Sequence, residues 1–197
     1  MQRLTDLFDL VGGRWPVEEQ GSAQRLQMAI RAAFAALGFA ALYGVAAGST
    51  DPVLALGNAW KLPMVVFLST MVALPAGLLA WKLTGAARGA SALVLGVAAG
   101  NFAATLVLAS LSPLVALYYH SSAFWGGPLA MGTTGLALVV GMGSAGRLVL
   151  RDGHARLPFG VLAGVQLLAL LQFVHIASPI LPETTVFDRG ADALVDR

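Results

Sequence analysis

The side chains best suited to chemistry in this chain are His120, His154 and His175, with Asn101, Gln166 and Gln172 set in apolar sequence. His154 stands among Arg147, Arg151, Asp152 and Arg156 and reads as a solvated connector residue. His120 and His175 each follow a long apolar run. Two such imidazoles could ligate a b-type haem or help line a quinone pocket. They share no repeated spacing, and hydrogen-bonded histidines at a water boundary are the commoner use, so no cofactor is assigned. Other catalytic chemistry lacks its parts. Without cysteine there is no thiolate nucleophile and no Cys-ligated zinc or iron–sulfur cluster. No Gly-x-Ser-x-Gly elbow and no phosphate loop ending in Gly-Lys-Ser/Thr occurs. The expectation is a protein that is not an enzyme, with no metal and no cofactor.

The elements that must position these residues are membrane spans. Hydrophobic residues make up 57% of the chain and charged residues 11%, well below the roughly 25% usual for a soluble domain. The 12 basic and 10 acidic residues form no polybasic run, which argues against a nucleic-acid partner. The clearest crossing lies in Asp51 to Gly85, where Trp60-Lys61 and Trp81-Lys82 bracket an apolar run. Trp60 to Trp81 covers about 31 Å at helical rise, the thickness of a bilayer's hydrocarbon core. These four residues read as interface anchors. Pro63 falls in that span's first turn and Pro75 inside it, and Asp51-Pro52 caps a short interfacial helix ahead of it.

The expected architecture is an all-α, polytopic transmembrane bundle of five spans with an N-terminal amphipathic helix. Residues 1–25 form the helix and a linker, and Gly12-Gly13 ends the helix. It lies on the membrane surface or in a groove between spans. Residues 26–179 hold spans at about 26–47, 62–81, 90–111, 124–145 and 158–178, and residues 180–197 form a polar tail. Residues 110–123, with Pro113, Tyr118, Tyr119 and His120, read as a loop. No signal peptide is visible, so the first span is expected to act as its own insertion signal.

Small residues four apart let helices approach closely, which marks Gly44 and Gly48, Gly96 and Gly100, and Gly160 and Gly164 as packing positions. The polar residues within or near the spans are Arg31, Asn101, Gln166, Gln172 and His175. Arg31 can snorkel to the headgroups or meet a buried carboxylate. Asn101 calls for a hydrogen bond to a neighbouring helix. No carboxylate falls within a span, which weighs against proton- or sodium-coupled transport.

Nine of the twelve basic residues fall on the N-terminal side of a five-span chain and three on the other: Lys61, Arg189 and Arg197. The positive-inside rule then places the N-terminus in the cytoplasm and the C-terminus outside.

Gly48-Ser-Thr, then Ala55 and Asn58-Ala-Trp-Lys-Leu-Pro63, Thr70, Pro75 and Leu83-Thr-Gly85, resemble an uncharacterised family of small bacterial polytopic membrane proteins. That family is distantly similar to the Yip/Rab-interacting membrane proteins. The resemblance covers about 35 residues and implies a multi-span protein without catalytic residues; it does not extend to a role with small GTPases. The expected function is a non-enzymatic membrane subunit or scaffold, embedded in the lipid bilayer and packed against other subunits or itself. The alternative is a small carrier, channel or haem- or quinone-binding redox subunit built around the polar residues above.

Overall fold

A computed structural model describes residues 2–16, 20–85, 89–121, 125–151 and 153–180, and among these residues it has five long α-helices and one short one. The helices are α1 (Gln2–Val11), α2 (Ser22–Ala47), α3 (Pro52–Leu83), α4 (Ser91–Ser121), α5 (Gly126–Val149) and α6 (Arg156–Ala177). A 3-10 turn at Gly153–Ala155 leads into α6, and no strand occurs among the described residues. Helices α2 to α6 are each long and apolar enough to cross a membrane, the form of a multi-pass membrane protein. Large apolar side chains stand exposed around them, Phe34, Val139 and Leu168 among them, which in water would be unfavourable and in lipid is the normal surface.

Local sequence explains the helix limits. The Asp51 carboxylate accepts hydrogen bonds from the Val53 and Leu54 backbone N–H groups at 2.8 and 3.4 Å, with Pro52 at the first helical position. At the other end of α3 the Thr84 hydroxyl donates to the Ala80 carbonyl, and Gly85 turns the chain at φ +64°. Gly13, at φ +73°, does the same after α1.

Two expected boundaries are corrected. The short interfacial helix and the second span are one continuous helix, so Pro63 lies well inside α3 and not in a first turn. Its N-terminal extension is fastened to α2, where a Cβ on Gly48 would meet the Ala55 backbone nitrogen at 2.6 Å and one on Gly44 would collide with the Asn58 carbonyl. Likewise residues 110–121 are helical, extending α4 through Pro113. A helix proline frees the carbonyl four residues earlier. Here that carbonyl belongs to Ala109, and the Ser112 hydroxyl donates to it at 2.7 Å. Val115 and Tyr119 then bury against Tyr43, Ala47 and Ala130.

The spans form a curved row in the order α5, α4, α2, α3, α6. We call the end holding the starts of α2, α4 and α6 the near end, and the opposite one the far end. At the near end the row curls: Trp81 of α3, Leu93 and Val97 of α4, Val149 of α5 and Leu162 of α6 share one core. Towards the far end α5 leans on α2, where the Tyr43 hydroxyl bonds the Ala130 carbonyl and Thr133 Oγ1. Helix α6 follows α3 instead. The two therefore diverge.

Helix α1 docks on protein. Leu7 and Leu10 are buried against Met28, Ala29 and Ala32 of α2 and Leu95, Ala99 and Phe102 of α4. Phe8 meets the Phe102 ring edge-on at 6.2 Å.

Candidate functional site

Three helices meet through polar side chains in the interior of the spans. Asn101 Nδ2 of α4 donates to Thr70 Oγ1 of α3 at 2.7 Å, and Gln166 Nε2 of α6 donates to Asn101 Oδ1 at 2.8 Å. A longer contact of 3.5 Å joins Gln166 Nε2 to Thr70 Oγ1, and the Thr70 hydroxyl donates to the Val66 carbonyl at 2.7 Å. The cluster ties α4 to the packed pair α3 and α6, with which it has few other contacts because α2 separates α3 from α4 over most of their length. All three groups are uncharged. They can orient a ligand or hold helices in register, but they cannot carry a charge or relay a proton as a carboxylate would.

Beside this cluster a cleft of about 630 Å³ opens between the diverging α5 and α6, with α4 as its floor. Its walls are apolar, with Gly100, Ala104, Gly135, Gly141, Ala145 and Gly164 among the small residues between larger ones. Asn101 and Gln166 are its polar lining. A smaller cavity of about 180 Å³ lies across the cluster, between α2, α3 and α4, and Thr70 and Asn101 line it. At the near end the large cleft shares Met142 and Phe159 with a shallow pocket of about 500 Å³ bordered by Arg147 and Arg151.

Other expected residues divide. Gly44 and Gly48 press on α3, Gly96 presses on Val149, and a Cβ on Gly100 would stand 2.8 Å from the Gly141 carbonyl oxygen. Gly160 and Gly164 pack on no other helix of this chain: both are exposed, and a Cβ on either would meet nothing within 4 Å. Helix α6 contacts α3 through a different face, where Leu162 fills the space above Gly77. Trp60 is 71% exposed and suits an interface anchor. Trp81 is corrected, because at 4% exposure its ring belongs to the near-end protein core and not to the headgroup layer. Lys82 is exposed, while Lys61 Nζ donates to the Pro179 carbonyl at 3.0 Å and Asn58 Nδ2 to that of Ile180. Lys61 thus tethers the chain beyond α6 to α3.

Arg31 lies exposed on α2, as snorkelling requires. His120 ends α4 and His175 lies in the last turn of α6; both are exposed, and nothing among the described residues brings them together. Gln172 is exposed on α6, apart from the Gln166 cluster. No group of three or more His, Asp or Glu side chains that could hold a metal occurs among the described residues. Thr70 is a site residue that sequence reasoning did not single out for this chemistry, because a helical Thr can satisfy its hydroxyl on its own backbone. No protein-family model, curated protein or solved structure matches the chain.

Proposed function

We propose that this protein is a non-enzymatic integral membrane subunit that packs into a larger complex or a homo-oligomer through the outward face of α6. The observation that carries the reading is the composition of that face. Gly160, Gly164, Leu168, Leu171 and His175 recur there at helical spacing, all exposed, with exposed Gln172 beside them. Two glycines with open space above them let a second helix come close. A carboxamide one turn inside the end of an apolar helix is costly against lipid and finds its hydrogen bonds on a neighbouring helix. The partners are therefore other membrane-protein subunits or a second copy, within the lipid bilayer, and nucleic acid is not among them.

The orientation supported by the basic-residue count puts the near end in the cytoplasm of a bacterial inner membrane and the C-terminus outside. Kinship with small bacterial polytopic proteins of the Yip-like type belongs to the same proposal and rests on the 48–85 pattern. Purification in several mild detergents tests the central reading, with mass measured by light scattering. A defined oligomer or a stoichiometric partner is expected, and Gly160→Leu, on that face and clear of the α5–α6 cleft, should disperse it without unfolding the chain. A clean monomer in every detergent, and again after reconstitution in bilayers, would sink it.

A further inference from the structure

We infer that the α5–α6 cleft binds one anionic phospholipid, its phosphate against Arg147 and Arg151 and an acyl chain along the cleft. Charge and length agree on this occupant. The apolar cleft and the arginine-bordered pocket are contiguous, sharing Met142 and Phe159, so one molecule with a charged head and an apolar tail can occupy both. Arg147 is in the last turn of α5 and Arg151 follows it; both are exposed where a headgroup would lie. Asp152, outside the described residues, offsets one of the positive charges of Arg147, Arg151 and Arg156, leaving the connector basic. Basic pockets between spans at a membrane surface suit anionic headgroups.

The cleft's length matches one leaflet. From Arg147 to Gly135, which lines its deep end, α5 advances about 18 Å, against roughly 15 Å for half a hydrocarbon core. Gln166, about 15 Å along α6 from Arg156, lies at the same depth, and its bond to Asn101 turns polar atoms onto one another instead of towards an acyl chain. A lipid chain here would also brace α6, which otherwise leans on α3 alone over most of its length. The cleft borders the outward face of α6 at Gly164, while Gly135 of α5 and the two arginines lie off that face and test the cleft independently of any partner there.

The full chain, delipidated in detergent, is titrated with phosphatidylglycerol and with phosphatidylcholine while its thermal unfolding is followed. Phosphatidylglycerol is expected to raise the midpoint at a concentration about 25-fold lower than phosphatidylcholine, about fivefold for each arginine. Arg147→Gln lowers that preference about fivefold, and Arg147→Gln with Arg151→Gln abolishes it. Inorganic phosphate alone gives no shift. In native mass spectrometry one phosphatidylglycerol remains bound to the parent chain, and Gly135→Leu, which grows into open space in the cleft, removes it. Equal response to both lipids, or stabilisation by inorganic phosphate, overturns the headgroup assignment. Phosphatidylglycerol retained by a folded Gly135→Leu chain overturns the cleft as the acyl site. Should the double arginine variant fail to fold, the parent's preference and the single variant decide.

Discussion

Asn101 stands at the junction of three helices, donating to Thr70 and accepting from Gln166. Its sequence context already demanded a partner, because an amide in hydrocarbon finds no water. Gln166 carried the same demand. Thr70 did not, since a helical threonine can satisfy its hydroxyl on its own backbone, as Thr70 does at Val66. Interhelical hydrogen bonds in membranes average about 0.6 kcal/mol and reach about 1.7. Asn101→Ala should therefore destabilise the fold by about 1–2 kcal/mol in reversible unfolding from mixed micelles. A double-mutant cycle of Asn101→Ala with Gln166→Ala should return a coupling within that 0.6–1.7 kcal/mol range; additive single effects would mean that the bond is not formed. Lys61 is also best understood at this scale. Its exposed bond to the Pro179 carbonyl makes Lys61→Met a change of no more than about 1 kcal/mol.

Glycine spacing is an ambiguous signal at the level of the helix. Four-residue pairs occur on α2, α4 and α6, yet only the first two press on a neighbour. Gly100→Ala, whose Cβ would press on the Gly141 carbonyl and Ala145, should cost about 1–3 kcal/mol as an overpacked contact. Gly164→Ala meets nothing within 4 Å and should leave the monomer unchanged or more stable by up to about 1 kcal/mol through helix propensity. Thermal unfolding of the two variants side by side separates them, and equal losses would mean that the α6 glycines are packed. The extension of α4 was hidden for a related reason. Proline and aromatic residues signal a loop when read alone, and the repair by Ser112 is visible only in the folded helix. Removing it in Ser112→Ala should cost about 1 kcal/mol.

For the molecule as a whole, the absence of cysteine from the chain makes single-cysteine labelling free of background. Thr50→Cys at the far end and Ser22→Cys at the near end are both exposed positions. An impermeant maleimide applied to intact spheroplasts should label the first and spare the second; the reverse pattern would overturn the orientation proposed from arginine and lysine counts. Such counts work because charge asymmetry and apolar length act during insertion, before any helix has chosen a neighbour. Five spans, the caps at Asp51 and Gly13 and the need of Asn101 for a partner were determined in this way by residue type and local spacing. The row order α5, α4, α2, α3, α6, the burial of Trp81, the docking of α1 on protein and the cleft between α5 and α6 were decided by the tertiary structure. The reason is physical: a leucine facing lipid and a leucine facing protein are equally apolar. Hydropathy therefore fixes which segments enter the membrane, while close fit between particular surfaces selects which faces meet.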